Sequence, residues 1–310
     1  MKHLNDKTLE SFLKSRIINR EIIDDTKQER IIEKITTKHG DVFIKYGQDI
    51  AIRKEIEIYE TYFSSPETLY VPRLLTSRYW DNSYFLALEW LDGIHPDFQN
   101  SSHVEKVFSG LGKWAANWNR RITEKPPQHY TNFEELQDLL ESYTHVLEEM
   151  IGQSLALLKD CLSRIEDIIK VMESTPLTLD PGDISLLNIF MNEDEITFID
   201  FESCKIGTMT SLVEHLGEKY QSIPHHSVHI QIALKSYLHA WNTTSNIHLN
   251  WHDFYYSQLC VRLYYKLGIY VYWIERIIRK NNIKATIEWI NQDRDNLAAL
   301  LENLDKKRVS

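Results

Sequence analysis

The hydrophobic pattern along the chain changes character twice. In the first part, Arg16 to Ile23 and Arg30 to Thr37 are rich in Ile and Thr, and Lys38-His39-Gly40-Asp41 is a turn signal ahead of Val42-Phe43-Ile44-Lys45. These runs predict strands. Ile52, Ile56, Tyr59 and Phe63 then recur at helical spacing up to Pro66. Val71-Pro72 opens another extended piece, and Asn82 to Leu91 reads as a hairpin arm leading into Asp92-Gly93, a linker signal. Beyond Gly93 the pattern turns helical. Val104, Val107, Leu111, Trp114 and Trp118 share one period. A second helix is expected through Phe133, Leu136, Leu140, Tyr143, Leu147 and Met150, and a third from Leu155 to Met172. One β island interrupts this region, with short apolar runs at 177–179, 188–191 and 196–199 and a turn at Asn192-Glu193-Asp194. Past residue 210 the pattern is helical nearly to the end.

This order predicts an α+β, two-lobed molecule: a strand-rich first lobe over residues 1–91, and a larger, mainly helical second lobe over 92–310. A helical lobe does not need a hairpin for packing alone, so the β island is the first place to look for chemistry.

Composition narrows the function classes. Apolar residues make up 43% and charged residues 26% of the chain, which is ordinary globular usage and excludes disordered and fibrous classes. The net charge of −10 repels nucleic acid and anionic membrane surfaces, so neither is expected as a partner, whereas a cationic ligand is tolerated. Cys161, Cys204 and Cys260 are sparse and form no C-x-x-C pair, as expected for free thiols in a reducing compartment. The N-terminal residues lack an apolar signal core, and no apolar run is long enough to span a bilayer. A cytoplasmic protein is expected.

The densest group of chemically capable side chains surrounds the β island: Asp180-Pro181-Gly182-Asp183-Ile184-Ser185-Leu186-Leu187-Asn188, then Ile199-Asp200-Phe201-Glu202. Asp183 and Asn188 stand five apart on a connecting loop, and Asp200 follows the second arm of the hairpin. An amide oxygen and a carboxylate brought together there suit Mg²⁺, which takes few protein oxygens beside phosphate oxygens. Asp183 would then be free to orient and deprotonate a hydroxyl. The competing explanation is that Asp and Asn occupy loops because they make turns.

The run Gly182-Asp183-x-x-x-x-Asn188 followed by Ile199-Asp200-Phe201-Glu202 resembles the catalytic loop and metal-binding segment of the aminoglycoside phosphotransferase and choline kinase family, which has a protein-kinase-like fold. The resemblance runs in order from the Lys45 strand to the C-terminal helices. It implies a phosphotransferase with an alcohol group as acceptor, using ATP or GTP and Mg²⁺. Asp183 would be the catalytic base, and Asn188 and Asp200 the metal-holding residues. One departure is Pro181, where the family usually has His. The resemblance also implies that Lys45 grips nucleotide phosphates and that a helix glutamate holds it. Glu55 is the expected partner, because it borders the apolar face of Ile52 and Tyr59, whereas Glu57 falls on the charged face with Arg53, Lys54 and Glu60. Tyr84 to Gly93 resembles the strand and hinge between lobes, where backbone near Glu89 and Leu91 would meet an adenine edge.

The weakest match is the nucleotide loop. Asp24-Asp25-Thr26-Lys27-Gln28-Glu29 contains no glycine, and its acids would repel phosphates unless turned outward. The expected acceptor is an aminoglycoside-like or other cationic or amino-sugar molecule. A choline- or ethanolamine-type kinase and a non-catalytic binding protein on the same fold are the alternatives. Elsewhere, His225, His226 and His229 read as surface histidines. The aromatic stretch Trp251 to Trp273 reads as core with some capacity to line a cationic pocket, and the acids between Glu134 and Glu149 read as a solvated helix face.

Overall fold

The computed structural model describes residues 3–64, 70–80, 82–122, 133–193, 195–214, 226–280 and 282–309. The chain divides into two compact units. The first comprises Met1–Trp114, Leu179–Lys205 and Ile223–Ala240, and the second comprises Ala115–Thr178, Ile206–Ser222 and Trp241–Ser310. The fold is α+β, with a five-stranded antiparallel sheet towards the N-terminus and a mainly helical remainder.

The sheet is built from β1 (Ile17–Asp24), β2 (Arg30–Thr37), β3 (Gly40–Gly47), β4 (Leu74–Trp80) and β5 (Ser83–Glu89), in the order β1-β2-β3-β5-β4. Side chains alternate across a strand, and here the alternation decides the function of each face. Ile31 and Ile35 of β2, Val42, Ile44 and Tyr46 of β3, and Phe85 and Ala87 of β5 form one buried cluster with Leu9. Leu9 belongs to α1 (Asp6–Leu13), a short helix that the apolar pattern does not announce. Asn5 caps it, accepting from Thr8 N at 2.9 Å. The odd member of the β2 face is Glu33, fully buried between Ile31 and Ile35. Arg20 donates to both of its oxygens, at 2.8 and 2.7 Å, and the Tyr46 hydroxyl donates at 2.7 Å. Arg20 also donates to the Leu4 carbonyl and to Asp6, so this buried ion pair fastens α1 to the sheet.

The opposite face of the same strands carries Ile32, Phe43, Lys45 and Leu88. Asp49 caps α2 (Ile50–Tyr62), and α2 buries Ile52, Glu55, Ile56 and Tyr59. The first unit also holds most of α3 (Ser101–Arg121) and the hairpin β7 (Ile189–Met191) with β8 (Ile196–Phe198), in which Ile189 pairs with Phe198. The linker after β5 docks on this hairpin: Ile94 N donates to Met191 O at 3.0 Å and Met191 N to Ile94 O at 2.8 Å. A Cβ on Gly93 would lie 2.9 Å from the Met191 carbonyl, so only glycine permits that approach.

The second unit is helical. The expected helices between 133 and 172 are divided differently from the pattern, into α4 (Glu134–Ser142), α5 (Thr144–Ser163) and α6 (Ile165–Ser174). Breaks fall at Tyr143 and Arg164, where hydroxyls compete with amides for carbonyls. Thr144 Oγ1 donates to Leu140 O at 2.6 Å, and Ser163 Oγ to Asp160 O at 2.7 Å. Apolar periodicity continues through both breaks because the core face stays the same. Short strands β6 (Leu177–Asp180) and β9 (Lys205–Thr208) flank the β island, and β9 was not expected. In chain order α7 (His226–Thr244) comes next, most of it in the first unit, and then α8 (Trp251–Ile278) and α9 (Ile283–Val309) of the second. Buried residues of α4, α5, α6, α8 and α9 form one continuous core. Among the described residues no helix is long and apolar enough to cross a membrane.

Candidate active site

Period-2 geometry turns Lys45 away from the α1 core and into a cavity of about 330 Å³, a size ordinary for a small-molecule site. The side chain is only 3% exposed, so it is not a solvent-facing strand lysine. Its Nζ donates to Glu55 Oε2 at 2.6 Å and to Asp200 Oδ1 at 2.8 Å. Glu55 is 1% exposed on the inner face of α2. Glu57, two residues on, points outward and pairs with Arg53 in an exposed i, i+4 contact. Burial works against the Lys45 ammonium, but the two carboxylates outweigh it and hold its pKa above the ordinary lysine value. Burial pushes the Glu55 carboxyl upward while the adjacent ammonium draws it back.

Asp200 reaches this place through an unusual backbone. It leaves β8 in the left-handed region, with φ 65° and ψ 65°, a conformation that Asp tolerates better than most residues. The turn that follows, Phe201–Ser203, is anchored on both sides. Phe201 N donates to Glu55 Oε1 at 3.4 Å, and the Phe201 ring packs against Tyr59, Phe63 and Trp114 with centroids 4.8–6.1 Å apart. Asp200 therefore sits between a buried glutamate and a buried aromatic cluster, with its carboxylate 34% exposed to the cavity.

Asn188 ends the turn Leu186–Asn188, and its carbonyl accepts from Ile199 N at 3.0 Å, next to Asp200. Its side-chain Nδ2 donates to the Asp183 carbonyl at 3.0 Å and lies 3.4 Å from Asp183 Oδ2. That orientation leads the amide oxygen away from Asp183. Asp183 is exposed at the mouth of this loop. Gly182 holds the loop down: its φ is +97°, its N–H donates to Asp180 Oδ1 at 2.9 Å, and a Cβ there would lie 2.8 Å from Ser203 Cβ. The base candidate and the Asp200 turn are thus joined through one glycine. Asn188 and Asp200 line the same cavity as Lys45 and Glu55; their oxygens are the hard donors that Mg²⁺ accepts. No group of three or more His, Cys, Asp or Glu placed to hold a metal occurs among the described residues.

Glu89, Trp90 and Leu91 line the opposite wall with Pro72 and Leu88. The Glu89 amide donates to Arg73 O at 3.0 Å, and its carboxylate accepts from Arg73 N at 2.8 Å. Two further lining residues escaped the sequence pattern. His95 donates from Nδ1 to the Ile189 carbonyl at 2.9 Å. Arg30, the first residue of β2, also faces the cavity. The glycine-free loop before it turns at least one acid inward on itself: Asp24 Oδ1 accepts from Thr26 N at 3.0 Å and Thr26 Oγ1 at 2.7 Å. These hydrogen bonds hold the Asp24 carboxyl below its ordinary range.

Of the other candidates, His225 lies outside the described residues, as does the side chain of His226. Phe254, Tyr264 and Tyr270 are buried in the second unit, and the acids on α4 and the start of α5 are exposed.

No protein-family model matches the sequence, and no curated protein matches it significantly. Solved structures do. An aminoglycoside phosphotransferase from Alicyclobacillus acidocaldarius superposes with a TM-score of 0.54 at 16% identity, covering 99% of this chain and 98% of that one. A spectinomycin phosphotransferase in complex with ADP and spectinomycin gives 0.53 at 12% identity, with 93% and 92% covered. A choline kinase from Cryptosporidium parvum gives 0.56 at 12% identity, with 97% and 92% covered. At such identities the likeness is one of fold, and chemistry must be argued from the residues. This chain has the protein-kinase-like fold shared by aminoglycoside phosphotransferases and choline kinases, over nearly its whole length.

Proposed function

We propose that the protein is an ATP-dependent kinase that transfers the γ-phosphate to a hydroxyl of a small cationic or amino-sugar acceptor, with an aminoglycoside-like molecule first in order and a choline-type metabolite second. The observation that carries this reading is the bridge from Lys45 to both Glu55 and Asp200 at the floor of a cavity that Asn188 also lines. A structural lysine needs one partner. One held between a buried glutamate and a half-exposed aspartate is aimed, and the nearby oxygens supply a place for a hard cation.

In this reading Lys45 grips the phosphate tail, Glu55 fixes its direction, and Asn188 and Asp200 hold Mg²⁺. The metal would supply charge neutralisation between the nucleotide phosphates. An adenine edge would use the Glu89 carbonyl and the Leu91 amide, because the Glu89 N–H is engaged by Arg73. Asp183 would accept the acceptor's hydroxyl proton, its carboxylate steadied by Asn188. Phosphoryl transfer asks little covalent chemistry of the protein, so positioning and charge carry the rate. The lobe boundary at residues 91 and 92 belongs to the same proposal, since it places the hinge at the adenine wall.

The test is a γ-phosphate transfer screen over aminoglycosides, choline, ethanolamine and amino sugars, run with ATP and with GTP. Transfer to one acceptor that depends on Mg²⁺ and is lost in Asp183→Asn supports the reading. Tight nucleotide binding with no transfer to any acceptor would favour the non-catalytic alternative.

A further inference from the structure

We infer that Arg30 is a second phosphate-binding cation of the nucleotide cavity, doing at the end of the acidic loop what glycine amides cannot do there. This rests on the nucleotide reading above and adds a residue to it. Lys45 and Arg30 both line the cavity, but their surroundings differ. Lys45 is already in contact with two carboxylates, at 2.6 and 2.8 Å. Arg30 is 11% exposed and has three carboxylates around it, none at hydrogen-bonding distance: Glu202 at 3.7 Å, Asp24 at 3.9 Å and Asp49 at 4.0 Å. Its Nε is buried with no hydrogen-bond partner, and so is the nearest carboxylate oxygen, Glu202 Oε2.

A guanidinium presents five donors in a planar fork, and leaving a buried one unmade is costly. Three distant acids are enough to keep the charge in place. They are too far to satisfy the fork. Phosphate oxygens entering the cavity would supply the missing acceptors in the bidentate geometry that arginine favours. Backbone fixes the position: the Arg30 amide closes the loop on Lys27 O at 3.2 Å, and Gln48 N and Asp49 N both donate to Glu29 O, tying the loop to the start of α2. Arg30 is therefore held at the loop's end, on the strand next to β3.

The experiment measures binding of ATP, ADP, AMP and adenosine to the full-length protein by calorimetry, with Arg30→Ala and Arg30→Lys beside the parent and thermal melting on all three. The expected result is a roughly 10- to 100-fold loss of ATP affinity in Arg30→Ala, a smaller loss for AMP and none for adenosine. Arg30→Lys should lose part of the ATP affinity and leave adenosine unchanged, since it keeps the charge without the fork; it decides the matter if the alanine variant does not fold. Equal losses for ATP and adenosine would assign Arg30 to the fold alone, and parental ATP affinity in either folded variant would also overturn the inference. If the parent itself binds no nucleotide, the functional reading fails, and Arg30 falls with it.

Discussion

Removing Glu55 should injure both the fold and the chemistry, and the structure sets the size of each effect. In Glu55→Ala the Lys45 ammonium stays buried with Asp200 as its one remaining carboxylate, and Phe201 N loses its acceptor. Breaking a buried pair from one side costs about 3–5 kcal/mol, because the surviving charge is left incompletely paired. At roughly 2–4 °C per kcal/mol for a chain of this class, the melting temperature should fall by about 6–20 °C. Glu55→Gln keeps the shape and one acceptor oxygen, so its cost should be nearer the 1.5–3 kcal/mol of a lost charged hydrogen bond, about half as much. Both variants should weaken nucleotide binding, since Lys45 is then drawn wholly to Asp200. Glu57→Ala is the control: its pair with Arg53 is exposed and screened by solvent, so its loss should leave the melting temperature and nucleotide affinity at the parent's values. Thermal melting and calorimetric titration with ATP and Mg²⁺ on the three variants provide the check. A Glu55→Ala protein that melts with the parent and binds nucleotide as tightly would refute the assignment of the pair. So would a Glu57→Ala protein that is the more damaged of the two.

Three further outcomes follow from the same geometry. Asp183→Asn should retain nucleotide affinity and lose about 10²–10⁴ in kcat once the acceptor is known; a stable variant turning over at the parent rate would remove Asp183 from the chemistry. Asp200→Asn tolerates the left-handed backbone, so it should fold, yet lose the part of nucleotide affinity that depends on Mg²⁺; titrations with Mg²⁺ and with EDTA that give the parent's difference would exclude Asp200 as a ligand. Glu33 opposes burial with its bonds to Arg20 and Tyr46, which together hold its carboxyl below the ordinary range. A depressed folded-state pKa means stability that is present above the unfolded value of about 4.3 and is lost as pH falls through the folded value. Denaturant melts from pH 6 to pH 3 should therefore show a steeper acid loss in the parent than in Glu33→Gln, and equal slopes would contradict this.

How much of this was legible in the sequence depends on the range of the forces involved. Strand faces and helix faces are local, so the spacing of Ile52 and Tyr59 was enough to turn Glu55 inward and Glu57 outward, and the runs around Lys45 located β2 and β3. The breaks at Tyr143 and Arg164 were hidden because apolar spacing continues across them, and only the hydroxyls of Thr144 and Ser163 mark them. Helix α1 is too short to establish a period, and the signal that could have found it is the cap Asn5. Glu33 reads as a polar position on a strand; its burial depends on Arg20 and Tyr46, each thirteen residues away and on different strands. Arg30 was the least legible of all. Its surroundings are assembled from positions 24, 49 and 202, and no spacing rule connects them.

Charge balance ties these residues into one argument. Among its lining residues the cavity carries two cations, Arg30 and Lys45, against three carboxylates, Glu55, Glu89 and Asp200. It therefore starts slightly negative in a chain that is already at −10. A polyphosphate entering such a site alone would be repelled by Asp200 and would find Lys45 fully engaged. Two changes remove that conflict. In the proposed reading, a divalent cation held by Asp200 and Asn188 would reverse the sign of the field that the phosphates meet, and Arg30 would exchange three remote carboxylates for close phosphate oxygens. Nucleotide and metal should accordingly bind far more tightly together than either alone, and the coupling should shrink when either Asp200 or Arg30 is neutralised. On that proposal the acidic, glycine-free loop is compatible with nucleotide binding, because the cations that would hold the phosphates come from β2, β3 and the metal and not from loop amides.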